Sequence, residues 1–167
     1  MKRILCAALA VAAFLVPTTP QELGRLKPVE VIKVDVQGSQ IRIETDTDDA
    51  GQGKTVEQAL TDLRAGASGT IYLDTAQYLL VPEGREDLII RMAPYLKNAV
   101  QLCCWEGEIL MEEVGQYLDC HSPELALKEY KPGMNLRTLT AENKRVRLVE
   151  KDRKNLKKVL DKECGLC

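Results

Sequence analysis

The apolar residues of this chain change their period partway along, and that change limits the architectures open to it. Val29, Val31, Val34 and Val36 open a β-branched run ending at Gln37-Gly38-Ser39, after which Ile41 and Ile43 alternate with Gln40, Arg42 and Glu44. A period of two marks half-buried strands, and turn residues between two such runs make a hairpin. A polar loop, residues 46–54, follows. From Thr55 the spacing becomes helical: Val56, Ala59, Leu60 and Leu63 share one face, Thr55 is the N-cap, Gln58 completes a capping box and Gly66 closes the helix. Ile71, Leu73 and residues 78–81 predict an extended segment before Pro82. Leu88, Ile89, Met92 and Leu96 then give a second helix whose end Pro94 leaves open. Residues 100–105 read as a central strand, and Leu110, Val114, Tyr117 and Leu118 as one face of a third helix.

The order ββαβαβα predicts an α+β or α/β fold, a small mixed sheet with about three packed helices. A C-terminal hairpin, residues 135–140 and 145–149 around Ala141-Glu142-Asn143-Lys144, and a charged helix over 150–164 extend it. At 167 residues and 45% apolar content the chain has material for one packed domain, and with 4% aromatic residues its core must be aliphatic. The divisions expected are 1–20 as signal peptide or N-terminal anchor, 21–28 as linker, 29–122 as the α/β domain and 123–167 as the extension. The sequence contains no internal repeat.

Lys2 and Arg3 precede thirteen uncharged residues, 4–16, and then Pro17-Thr18-Thr19-Pro20, the layout of a secretory signal. A spanning helix takes about 20 apolar residues, which this run does not reach. Export is therefore expected, to the medium or to a tether at the outer face. Beyond the signal stand Cys103, Cys104, Cys120, Cys164 and Cys167, an odd set that leaves at least one thiol free or bridged between chains. The net charge of -2 provides no global attraction to nucleic acid, which is not expected as a partner.

Several short patterns carry chemistry. Gly51-Gln52-Gly53-Lys54-Thr55 lies between strand and helix as a phosphate loop would, but Asp48 stands where that motif needs glycine, and a Gly-rich turn before a capped helix accounts for the same residues. Asp46, Asp48 and Glu57 occupy positions 1, 3 and 12 of a calcium loop and are candidate ligands, although Ala50 empties position 5 and Lys54 puts a cation at position 9. No other cofactor is expected. Cys164 and Cys167 could bind metal or form a disulfide, with Cys103, Cys104, Cys120 and His121 as further candidates to complete a metal set, although Cys103 and Cys104 read better as buried thiols on opposite faces of one strand. His121 is the sole histidine, no serine lies in a nucleophile elbow, and the pairs Glu106 and Glu108 or Glu112 and Glu113 read as solvated charge, so an enzyme is not expected. Between residues 141 and 163, nine basic residues face five acids, a local +4; Lys151, Arg153, Lys154, Lys157 and Lys158 are candidates for an anionic lipid or envelope-polymer surface.

A family resemblance enters from residue 31 to about 120. A strand pair leads to Gly53-Lys54-Thr55-Val56-Glu57-Gln58-Ala59-Leu60, which opens a helix. Ile71-Tyr72-Leu73-Asp74-Thr75-Ala76-Gln77-Tyr78-Leu79-Leu80-Val81, a helix, residues 100–105 and Glu106-Gly107-Glu108-Ile109-Leu110 before the last helix follow. In order and texture this resembles the N-terminal domain of the Ger(x)C-type spore germination lipoproteins, the C subunits of nutrient germinant receptors. The resemblance implies a non-enzymatic exported domain at the outer face of a spore-former membrane, and it brings no active site. The expectation is an exported binding or assembly domain whose partner is a protein or an envelope component, close to a membrane. A calcium- or envelope-polymer-binding accessory domain and a small envelope hydrolase are the alternatives.

Overall fold

The computed structural model describes residues 26–107, 109, 111–142 and 145–150. The N-terminal apolar segment, the expected basic helix with Lys151, Arg153, Lys154, Lys157 and Lys158, and the Cys164 and Cys167 pair lie outside them. Among the described residues no helix is long and apolar enough to cross a membrane.

The fold is α+β, built on a mixed seven-stranded sheet. Strands β2 (Val31–Gln37) and β3 (Gln40–Thr45) form the expected hairpin, with Gln37 opposite Gln40 and Gly38 at φ +62 in the turn. The loop expected over 46–54 contains a strand, β4 (Ala50–Gly53), antiparallel to β3. Helix α1 (Val56–Gly66) follows, and the single extended segment expected next divides into β5 (Thr70–Tyr72), a 3-10 turn at Leu73–Thr75 and β6 (Tyr78–Pro82). β5 pairs in parallel with β1 (Leu26–Pro28), so the end of the expected linker is half of a separate two-stranded sheet. α2 (Asp87–Met92) stops one turn before Leu96 and passes into a 3-10 turn at Ala93–Tyr95, because Pro94 has no N–H with which to continue it. β7 (Gln101–Glu106), α3 (Met111–Cys120), β8 (Arg137–Glu142) and β9 (Arg145–Glu150) complete the order. The C-terminal hairpin is part of the sheet and not an extension of it: β8 pairs in parallel with β7, giving the order β4-β3-β2-β6-β7-β8-β9.

Side-chain alternation divides the core in two. Ile32, Ile43, Leu79, Leu102 and Cys104 point to the face covered by α1 and α2, where they meet Leu60, Leu63, Leu88, Ile89 and Met92. Val31, Tyr78, Leu80, Cys103 and Leu139 point the other way and meet Val114 and Leu118 of α3. The two cysteines are thus buried on opposite faces, at 0% and 1% exposure.

On the first face α1 approaches β4 backbone to backbone. A Cβ built on Gly51 would stand 2.2 Å from Leu63 N and 2.3 Å from Ala59 O, and one on Gly53 2.5 Å from Ala59 N. The Gly-x-Gly pattern is therefore a helix seat within a strand, not a turn, and its space is already filled by the helix. The expected cap forms with one change of partner: Thr55 Oγ1 accepts from Gln58 N at 3.2 Å, and Gln58 Oε1 accepts from Lys54 N at 3.1 Å instead of from the N-cap itself.

Both edge strands have amide groups taken by a neighbouring helix. On β4, Gln52 N donates to Asp62 of α1 at 2.9 Å; on β9, Leu148 N donates to the Tyr117 hydroxyl of α3 at 2.9 Å. Open edges template pairing with other chains, and these contacts occupy donors that such pairing would use.

Candidate functional site

The polar constellation with the most internal structure lies on the α3 side of the sheet, beyond the stretch that the helix itself covers. It starts from a proline. Glu30 O accepts from Tyr78 N at 3.0 Å, and the parallel ladder of β2 with β6, alternating from there, brings Val34 O to the position of residue 82. Pro82 has no N–H to give. The indole of Trp105, the one tryptophan in the chain, reaches across from β7, and its Nε1 donates to Val34 O at 3.1 Å.

That bond holds the indole where Lys33 Nζ sits 4.4 Å from its ring centroid. The Lys33 side chain is only 14% exposed, so its charge needs further compensation, which Glu44 on β3 supplies at 3.1 Å. Glu44 Oε1 is in turn 2.7 Å from Arg42 Nε. The angle there is too poor for a hydrogen bond, and this buried Nε is left without one. Burial pushes the Glu44 carboxyl up, but the hydrogen bond and charge of Lys33, joined by Arg42, outweigh it and hold its pKa below the ordinary carboxylate value. Trp105, Lys33, Glu44 and Arg42 thus form one relay of contacts from β7 to β3.

A pocket of about 350 Å³ opens at the Arg42 end, between the β3–β4 turn and the entry to α3; Arg42, Glu44, Asp48, Asp49, Ile109 and Met111 line it. Asp49 is held by Lys27 at 2.9 Å and by the Thr47 hydroxyl at 2.8 Å. Burial raises its pKa, and those two partners bring it net below the ordinary value.

The candidate calcium ligands are not brought together. Asp46 accepts from the backbone N–H of Glu30 at 3.2 Å, Asp48 sits exposed at φ +60 in the turn, and Glu57 is on α1 beyond the intervening strand β4. Among the described residues no group of three or more His, Cys, Asp or Glu side chains could hold a metal ion. Cys120 and His121 lie at the exposed end of α3, where the His121 ring stacks on Tyr117 with centroids 4.4 Å apart. Burial, then the neighbouring Cys104, pushes the Cys103 thiol far above its ordinary pKa, which leaves it protonated and unreactive. On the same face Tyr78 donates to Asp119 at 3.1 Å; burial and then that carboxylate push its phenol up to about 12.

Lys33, Arg42, Glu44 and Trp105 do not stand out in the sequence as a site. Their signal is there as the polar half of two alternating strands, but such alternation ordinarily marks a solvated face. Comparison with family models, with curated proteins and with solved structures finds no match for this chain.

Proposed function

We propose that this chain is an exported, non-enzymatic binding or assembly domain of the cell envelope. The observation that supports the reading best is the relay of Trp105, Lys33, Glu44 and Arg42 beside a pocket of about 350 Å³. Lys33 and Arg42 hold the Glu44 carboxyl below its ordinary pKa, and the members of the relay sit on strands, which position a recognition surface more firmly than loops do. A general acid or base needs a proton that leaves near the working pH, whereas the depressed pKa of Glu44 keeps that carboxylate ionised there. The basic start and thirteen uncharged residues favour export. The likeness of residues 31–120 to the Ger(x)C N-terminal domain favours a narrower form, a place at the outer face of a spore-former membrane in sporulation or germination.

The test is fractionation of a tagged chain from a sporulating culture into medium, membrane, cytosol and purified spore, with the mass read in each. Enrichment in the spore membrane is the result expected of the narrower form, and processed protein in the medium that of a secreted binder. Full-length protein confined to the cytosol would overturn the export reading.

A further inference from the structure

The smaller of the two sheets is also the less covered. β1 and β5 pair in parallel over three residues each, with Leu26 opposite Thr70 and Pro28 opposite Tyr72. Parallel strands are ordinarily covered on both faces, and two strands alone are marginal in water. Here alternation sends Ile71 inward, where it is buried, and leaves Leu26, Pro28, Thr70 and Tyr72 exposed on the outward face. Among the described residues five large apolar side chains are exposed. Ile90, Met134 and Val149 stand on separate stretches of chain, but Leu26 at 40% and Tyr72 at 43% share this one face. Single exposed apolar residues need no explanation, whereas several on one small face mark a surface that takes an apolar cover.

Where the chain enters points to that cover. Leu26 is both the first described residue and a member of the face. Nine residues, 17–25, separate it from Val16, the end of the uncharged run 4–16, which carries the one phenylalanine of the chain, Phe14. Nine residues reach about 30 Å when extended, well beyond the length of a three-residue strand pair, so the run can return to the face. The tether holds it there at an effective concentration on the order of millimolar, and closing so short a loop adds little entropy cost. The run falls short of the about 20 residues that a spanning helix takes, so it needs an apolar cover of another kind.

We propose that in the uncut chain the run 4–16 folds back and packs Phe14, Leu15 and Val16 against Leu26, Pro28 and Tyr72, so that the expected export signal is an intramolecular ligand of the domain it precedes. The apolar end of the run is withdrawn from water, and the outward face of the small sheet gains the cover that its parallel pairing lacks. A chain that folds before export then hides the segment by which it is exported, and removal of that segment uncovers Tyr72. The contact itself needs only the hydrophobicity of the run; its consequence for export rests on the exported reading above.

The test puts a photoreactive benzophenone side chain in place of Phe14 in the purified full chain, irradiates it over a dilution series and maps the links by mass spectrometry. The expected result is a link within one chain to the peptide that holds Tyr72, in a yield that does not change with dilution. Tyr72→Glu should lower that yield about tenfold, because its carboxylate would lose water under the run. The unfolding midpoint should stay unchanged, since the side chain is exposed on the domain. Tyr72→Phe should preserve the yield, and so should Ile90→Glu on α2, an exposed position away from the face. No link to the Tyr72 peptide, a yield that Tyr72→Glu leaves intact, or an equal fall in Ile90→Glu would overturn the proposal. So would a link at twice the chain mass that fades on dilution, which gives the face to a second copy. Loss of the link on co-sedimentation with phosphatidylcholine vesicles would also overturn it, giving the run to a membrane. Since purified chain is used, failure here leaves the fractionation result untouched, and a cytosolic location would leave the link untouched.

Discussion

The two faces of the sheet are made from the same strands, residue by alternate residue, yet they are held by different physics. The face under α1 and α2 is packed mainly with aliphatic side chains, and its closest contact is a matter of shape, with α1 resting on two glycines of β4. The face toward α3 is aliphatic only around Val114 and Leu118; beyond them it continues as an indole, an ammonium, a carboxylate and a guanidinium. The first arrangement is sensitive to added volume and indifferent to pH. The second is sensitive to the loss of single donors and to the protonation state of its members. A domain that divides its faces in this way can keep part of one face polar without weakening the core behind the other.

Four measurements would break or sharpen that contrast. The largest effect is expected from Gly51→Ala, whose methyl would press on the backbone of α1. Overpacking of this kind costs about 3 kcal/mol, seen as a lower urea midpoint by a similar amount at every pH from 5 to 9. A loss below about 0.5 kcal/mol would mean that the seat is loose. Next comes Trp105→Phe, which preserves bulk but orphans Val34 O opposite Pro82; leaving a buried acceptor unpaired costs about 1–2 kcal/mol. If denaturation shows no change, water has replaced the indole and the relay has no fixed end.

The third measurement concerns alkali. The Tyr78 phenol is pushed up to about 12 in the fold, against an ordinary value of 10, so its contribution is complete below pH 10 and is lost as the pH rises toward 12. Stability followed over that range should fall more steeply in the parent chain than in Tyr78→Phe, and parallel curves would count against the Asp119 contact. The smallest effect is expected at the acid end. Glu44 has a depressed pKa, so its contribution is present above the ordinary carboxylate range and fades as the pH drops through the depressed value; Glu44→Gln should make the acid limb of the stability profile shallower. An unchanged limb would mean that Lys33 finds its compensation in the indole alone.

The sheet core was legible in the sequence because aliphatic periodicity reports local geometry directly. Val31 to Ile43, the cap at Thr55 and the run at 100–105 appear where the spacing puts them. The three short strands were not legible, for separate reasons. Ala50-Gly51-Gln52-Gly53 contains no β-branched residue, since its role is to leave room for α1, and Leu26-Lys27-Pro28 carries a proline that reads as linker. β5 is separated from β6 by a single 3-10 turn that composition does not mark. The relay was out of reach in another way. Lys33 and Glu44 face each other across one hairpin, but the need for Trp105 arises from a missing N–H at Pro82, and that is visible only once the register of three strands is known. The pocket likewise needs the entry to α3 to arrive beside a turn some sixty residues earlier in the chain.

The contacts at the two sheet edges also differ in when they can close. Asp62 reaches Gln52 across ten residues, so β4 can be sealed by the first helix to form after it. Tyr117 reaches Leu148 across 31, and only after α3 has docked and the last hairpin has been completed. Closing a longer loop is slower and costs more entropy. During folding, the β9 side is therefore the one that stays open longest, and a chain still folding is most exposed there to mispairing with its neighbours.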